Sequence, residues 1–143
     1  MAKPEEDICI RLMAHIRDQY PWAKYHVFHV PNAGKRKPHY LAKLYAMGLL
    51  PGVSDYVLSH PRTMQMLYLE VKTETGAPTQ NQLAFIAAKR DSGHVGLFGY
   101  GYKECELIVD SWFNQQYSNI EWMQYNDKKS ERNAARKARA AGA

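Results

Sequence analysis

A strand, a helix and a second strand follow one another between residues 65 and 100, and this unit constrains the fold more than any other feature. Residues 65 to 72, QMLYLEVK, alternate in a way that is typical of a strand. A helix is predicted from about residue 80 to 91, and the run HVGLFGY after it is almost entirely apolar, as in a strand covered on both faces. Strands joined by a helix through short loops form a parallel pair. The sequence therefore predicts an α/β domain with a central mixed sheet of about four strands, flanked by helices on both sides.

The remaining segments extend this pattern. Further helices are predicted at residues 4 to 18, 38 to 47 and 103 to 114, and further strands at residues 25 to 30 and 56 to 59. Leu41, Leu44 and Tyr45 are expected to form the apolar face of the second helix, and Leu83, Ile86 and Ala87 to point inward from the third. The domain is expected to span residues 1 to 117, with residues 118 to 143 forming a basic tail. From residue 126 onward the tail lacks an apolar stripe and is either a solvated helix or disordered.

The net charge of +5 is concentrated in two segments. From residue 126 to the C terminus there are six Lys or Arg and two Asp or Glu, a balance of +4, and residues 31 to 54 contain four basic residues and no acid. Such patches favour a polyanionic partner such as nucleic acid, although a solvated surface explains the charges alone equally well. Cys9 and Cys105 lack the paired spacing of a zinc site, and no apolar run has the length of a membrane span.

Two acids and a lysine are predicted to meet beside the central strands. Asp55 follows a Pro-Gly turn at the start of one strand, and the next strand carries Glu70-Val71-Lys72. Because side chains alternate along a strand, Glu70 and Lys72 emerge on one face while Val71 stays in the core. Carboxylates are hard oxygen ligands for Mg²⁺ or Mn²⁺, and a nearby lysine supplies a fixed positive charge. The alternative is an exposed strand face with paired charges, which is the more common meaning of a Glu-x-Lys pattern by itself.

Two segments, PGVSDYV and YLEVKTETGAPTQNQLAFI, are followed by a glycine before an apolar strand. With this pattern the chain resembles the VRR-NUC family of PD-(D/E)XK nucleases, over roughly residues 4 to 115. One departure is Ser54, where the family has a proline before the aspartate, and a local loosening of the turn is expected there. The resemblance implies a restriction-endonuclease-like core.

The family pattern also implies roles for particular residues. Asp55 and Glu70 would be metal ligands together with the backbone carbonyl of Val71, Lys72 would be the catalytic lysine, and Gln82 would be an active-site glutamine on the following helix. Gln82 has an alternative role, because Thr79-x-x-Gln82 is also a capping box. A glutamate of the first helix would complete the metal environment. Glu5 is the better candidate and Glu6 the alternative, while both also suit a helix N terminus.

The loop before the aspartate resembles a DNA-facing segment of some family members. Its candidate DNA-binding residues are His29, Asn32, Lys35, Arg36 and Lys37. For His29, packing at the end of a strand is the alternative.

The expected activity is endonucleolytic hydrolysis of DNA with Mg²⁺ or Mn²⁺. Small phage-encoded family members suggest a homodimer that resolves four-way (Holliday) junctions in the cytoplasm, with no membrane and no small-molecule cofactor involved. A monomeric nickase or flap nuclease, a non-catalytic DNA-binding module and an RNA-cleaving enzyme are the alternatives.

Overall fold

The computed structural model describes residues 3 to 31, 34 to 115 and 118 to 142. It contains four strands, five α-helices and a short 3-10 turn. Their bounds, in chain order, are α1 Lys3–Gln19, the 3-10 turn Pro21–Ala23, β1 Val27–His29, α2 Pro38–Ala46, β2 Tyr56–Ser59, β3 Met66–Lys72, α3 Gln80–Asp91, β4 Val95–Tyr100, α4 Tyr102–Asn114 and α5 Asn119–Gly142.

The strands form one mixed sheet in the order β1-β2-β3-β4. The pairs β1–β2 and β2–β3 are antiparallel, whereas β3 and β4 are parallel. The predicted strand–helix–strand unit and the mixed four-stranded sheet are therefore confirmed. Because Tyr56 pairs with Leu69, Asp55 reaches the same end of the sheet as Glu70.

Alternation along β3 divides the molecule into two packed layers. Leu67, Leu69 and Val71 are fully buried in the main core, which also contains residues of α1 and α4 such as Leu12 and Ile108. On the other face, Tyr68 packs in a smaller cluster whose members are Ile86 of α3, Phe98 and Tyr100 of β4, and the half-buried Phe85. Glu70 and Lys72 share the second face with Tyr68, as the sequence predicted.

Two helices bury fewer of their apolar residues than expected. In α3 only Ile86 is buried, and the expectation for Leu83 and Ala87 is wrong because both are exposed. In α2 no residue is buried, so Leu44 and Tyr45 do not contribute to the core. The apolar spacing in each helix predicted a buried face, but of these positions only Ile86 packs into a core cluster in the described structure.

The basic C-terminal segment is a helix that packs against the sheet along half its length. Residues 116 and 117, at the expected boundary between domain and tail, lie outside the described residues. Asn126, Ser130 and Asn133 of α5 are buried, although the residues after Asn133 are exposed. The expectation of a solvated helix therefore holds only for the part of the tail after Asn133.

Helix α5 covers the free edge of β4. The side chain of Asn126 accepts a hydrogen bond from the backbone N–H of Phe98 (2.8 Å) and donates one to its carbonyl oxygen. Further along the same edge, Arg90 donates to the Gly96 carbonyl (3.0 Å), and Glu104 accepts from the Tyr100 N–H (3.2 Å). An unpaired strand edge is a template for association with another chain, and these side chains satisfy it within the molecule. Within the described ranges, no helix combines the length and apolarity that crossing a bilayer requires.

Candidate functional site

Asp55 is held by the main chain of the neighbouring strand. Its carboxylate accepts a hydrogen bond from the Val71 N–H (2.7 Å), and its own N–H donates to Glu70 Oε2 (3.1 Å). The preceding turn is fixed by Gly52, which has φ of +89° and lies so close to α3 that an added Cβ would be 2.5 Å from the backbone of Asn81. Ser54 is buried and donates to the Tyr56 carbonyl (3.0 Å), which occupies its hydroxyl within the turn.

Glu70 is buried beside Asp55, and this arrangement disfavours its ionisation. Only 5% of Glu70 and 8% of Asp55 are exposed. Burial, followed by the negative charge of Asp55, raises the pKa of Glu70 to about 9, while the charge of Lys72 opposes this effect. Burial also raises the pKa of Asp55. Two clustered carboxyl groups of this kind are stabilised by a cation, and their oxygen donors suit Mg²⁺ or Mn²⁺.

Gln82 forms the predicted capping box and also contacts Glu70. Thr79 Oγ1 accepts from the Gln82 N–H (3.2 Å), and Gln82 Oε1 accepts from the Thr79 N–H (2.9 Å), which completes a capping box at the start of α3. The remaining amide group, Nε2, donates to Glu70 Oε1 (2.9 Å). One side chain therefore starts the helix and binds a carboxylate of the candidate site.

Lys72 lies in the same charged group. It is 7% exposed, and its positive charge opposes the upward pKa shifts of Glu5, Asp55 and Glu70. Its backbone carbonyl accepts from the N–H of Gly101 (2.8 Å), which fixes the end of β3 against the turn between β4 and α4.

The first turn of α1 directs Glu5 to this group. Glu5 is partly buried, and burial raises its pKa, with a smaller upward contribution from Asp55. Glu6 is exposed. The structure thus brings Glu5 rather than Glu6 beside Asp55.

Helices, a strand and two loops line one cleft at this end of the sheet. The cleft has a volume of about 520 Å³, and Glu5, Asp55, Glu70 and Gln82 all contribute to its wall. Tyr45 of α2 and Gly34 of the preceding loop form its other side.

The predicted DNA-binding residues are placed differently from one another. His29 is exposed, and its Nδ1 lies 2.8 Å from the Asp55 carbonyl oxygen. A carbonyl only accepts hydrogen bonds, so Nδ1 carries the hydrogen. Lys35, Arg36 and Lys37 are exposed on the loop that lines the cleft through Gly34. Asn32 lies outside the described residues.

A second group of possible metal ligands was not identified from the sequence. His15 of α1 and Glu106 and Asp110 of α4 place one ligand atom each within 4.8 Å of one another. His15 Nε2 and the hydroxyl of Tyr20 each lie 2.7 Å from Asp110 Oδ1. The spacing of Glu106 and Asp110 along one helix was visible in the sequence, but the pairing of α1 with α4 that adds His15 was not.

Comparisons with known proteins support the fold rather than the sequence family. No family profile and no curated protein matches this sequence. A search of solved structures finds a protein described as a "VRR_NUC domain protein", with a TM-score of 0.67 and 17% sequence identity, over 80% of this chain and 91% of the other. This similarity confirms the predicted fold, a mixed sheet flanked by helices, which this chain shares with the VRR_NUC domain protein.

Proposed function

We propose that this chain is a metal-dependent nuclease that hydrolyses DNA phosphodiester bonds at the cleft containing Asp55 and Glu70. The observation that carries the proposal is a pair of buried carboxylates: that of Asp55 accepts from the backbone of β3, and that of Glu70 accepts from the backbone of Asp55. Lys72 and Gln82 lie beside them. A fold shared with a VRR_NUC domain protein agrees with this chemistry.

Asp55 and Glu70 would hold the metal ion, with the backbone oxygen of Val71 and the carboxylate of Glu5 as further oxygen donors. When bound, a divalent cation lowers the pKa of a coordinated water and neutralises charge on the phosphate. Both carboxylates are buried, and neither forms an ion pair within the described ranges. A divalent cation would compensate their negative charge, which Lys72 only partly offsets.

The chain's own groups would position the reacting phosphate. Lys72 presents a fixed positive charge beside the carboxylates, where it can stabilise developing negative charge. Gln82 Nε2 orients Glu70 through its hydrogen bond, and His29 fixes the backbone of Asp55. Positioning of this kind keeps the carboxylate oxygens directed into the cleft.

The loop of Lys35, Arg36 and Lys37 would bind the phosphates next to the cut. These three residues are exposed and adjoin the cleft wall at Gly34. Sequence-independent contacts to phosphate fit a small protein that recognises the shape of its substrate.

We further propose a four-way DNA junction as the substrate and a homodimer as the active form. A two-fold dimer presents two equivalent sites to a junction that is itself two-fold symmetric. The rivals are a monomeric nickase or flap nuclease and a DNA-binding module without catalysis.

The test is cleavage of a labelled four-way junction and a matched linear duplex with Mg²⁺ or Mn²⁺. Asp55→Ala removes a ligand, and Asp91→Ala is the matched control because it removes an exposed carboxylate at the end of α3. Paired symmetric nicks in the junction alone, lost only in Asp55→Ala, are expected. Equal cutting of both substrates would leave a nuclease but refute junction selectivity, and metal-independent binding without cutting would refute the nuclease.

A further inference from the structure

Four basic residues of α5 lie on one side of the helix. At about 100° per residue, Lys128, Arg132, Arg136 and Arg139 fall within a sector of about 80°. All four are exposed, and we refer to them as the basic ridge. Lys129 borders this sector and Lys137 lies outside it, while the opposite side carries Asp127 and several alanines, so four of the six basic residues from residue 126 onward share one side.

Polar contacts fix the orientation of the ridge relative to the sheet. Asn126 binds both backbone groups of Phe98, and the hydroxyls of Ser130 and Tyr100 lie 2.5 Å apart. Asn133 donates to the carbonyl oxygens of Glu74 (3.0 Å) and Gly76 (2.9 Å). Because these side chains lie on the face of α5 turned to the sheet, the ridge is held to one side of that face.

The same contacts show that α5 runs towards the cleft end of the sheet. Asn126 contacts Phe98, which is the register partner of Glu70, whereas Asn133 contacts the loop that follows Lys72. The helix then continues from residue 134 to 142, roughly 13 Å beyond that loop at 1.5 Å per residue. The ridge therefore begins beside the sheet and extends past the end that carries the candidate site.

The charges of the ridge are not neutralised within the protein. None of its four residues forms an ion pair with another residue in the described parts of the chain. Like charges on one helix face repel each other, which a polyanionic partner would relieve. The ridge spans about 16 Å along the helix axis, comparable to about five phosphates of one DNA strand.

We infer that the basic ridge binds the phosphate backbone of a duplex arm that leads away from the cleavage site. The inference rests on the proposed function, to which it adds a requirement for duplex DNA on the α5 side of the cleft. Phosphate contacts give affinity that does not depend on sequence and falls steeply with salt. Because α5 is held against the sheet, it would thus set the angle at which the duplex arm leaves the cleft.

The test compares two variants of the full chain that lose the same charge. The first combines Arg132→Gln, Arg136→Gln and Arg139→Gln, and the matched control combines Arg17→Gln, Lys24→Gln and Arg62→Gln. The control residues are exposed, and they lie near the opposite end of the sheet, at the end of α1, before β1 and after β2. Binding is measured by fluorescence anisotropy with chelator present, on duplexes of about 30 and about 8 base pairs over a range of salt concentrations.

The ridge variant is expected to bind the long duplex at least about tenfold more weakly. The slope of the logarithm of its binding constant against the logarithm of the salt concentration should be smaller in magnitude by about 2 to 3. The short duplex and the control variant should change by less than about twofold. Equal losses in both variants, or binding of anionic vesicles in place of duplex, would overturn the inference. Cleavage is measured separately from binding. A ridge variant that still cuts the short duplex with Mn²⁺ retains the proposed activity. A wild-type protein that cuts no substrate would refute that activity, and the binding results for the ridge would stand independently.

Discussion

At the scale of single residues, Gln82 joins the start of a helix to the candidate site. Its oxygen caps α3 and its amide group binds Glu70, so the same hydrogen bonds that stabilise the helix also fix a carboxylate. A substitution can separate the two roles, because the cap requires an acceptor and the contact to Glu70 requires a donor.

Gln82→Glu keeps the acceptor for the Thr79 N–H but places a second carboxylate against Glu70. We expect the cleavage rate to fall at least about tenfold while the helix is retained, because an amide donor is replaced by a repelling group. Thr79→Ala is the matched variant: it should cost about 1 kcal/mol of stability with little change in rate. Single-turnover cleavage and urea unfolding measure the two effects, and equal rate losses in both variants would contradict the separation.

Glu70→Gln should stabilise the metal-free protein. Glutamine cannot become charged, so it avoids both the burial of a charge and the repulsion from Asp55 that raise the pKa of Glu70. Its NH2 group replaces one of two oxygens that accept hydrogen bonds, which offsets part of the gain. We expect a gain of about 1 kcal/mol, or roughly 2–4 °C in Tm. On the proposed function, Mn²⁺ is expected to stabilise the wild type but not this variant. Thermal unfolding with and without metal is the measurement, and a lower Tm in chelator would show that the carboxylate is not under strain.

At the scale of elements, the turn before β2 depends on close contact with α3. Gly48 and Gly52 both have positive φ, of +109° and +89°, but only Gly52 would place a Cβ against another element. Comparing alanine substitutions at these two glycines therefore separates the effect of backbone strain from that of steric overlap.

Gly52→Ala should destabilise the protein by about 2 kcal/mol more than Gly48→Ala, because overlap with Asn81 adds to the strain that both variants share. It should also reduce cleavage, since Asp55 lies three residues later in the chain. Urea unfolding of both variants measures the difference. Equal losses would mean that α3 moves away without cost.

The edge of β4 depends on α5 in a similar way. Asn126→Ala would leave the N–H and carbonyl of Phe98 buried without partners. We expect a loss of about 2–4 kcal/mol in the free energy of unfolding, whereas the exposed Gln124→Ala should change it by less than about 0.5 kcal/mol. Denaturant unfolding measures both variants. If Asn126→Ala lost no more free energy of unfolding than Gln124→Ala, α5 would be only loosely attached to the sheet.

At the scale of the whole molecule, the proposed dimer has a distinct signature in mixing experiments. A supercoiled plasmid with an extruded four-way junction becomes linear when both sites of one dimer cut, and relaxed when only one cuts. Mixing wild type with excess Asp55→Ala should therefore shift products from linear to relaxed at constant wild-type concentration. An unchanged ratio would indicate independent monomers.

The fold was largely predictable because its elements have strong local signals. The predicted bounds of α3, residues 80 to 91, and of β2, residues 56 to 59, agree with the structure. Leu67, Leu69 and Val71 were assigned to the core from alternation alone, and all three are fully buried. Asp55, Glu70 and Lys72 were grouped from the same alternation, since strand pairing brings neighbouring strand ends together.

What the sequence could not determine depends on contacts between distant segments. Glu5 was preferred to Glu6 on the family pattern, but its position beside Asp55 depends on the packing of α1 against the sheet, which the sequence of α1 does not determine. The tail was judged from its charge and lack of an apolar stripe. Trp122 and Met123 at the start of α5 pack against the main core, but further along the helix the buried residues are polar: Asn126, Ser130 and Asn133. Hydrogen bonds to a strand edge have no apolar signature in sequence, because an asparagine is suited equally to water and to a backbone that only tertiary structure places beside it.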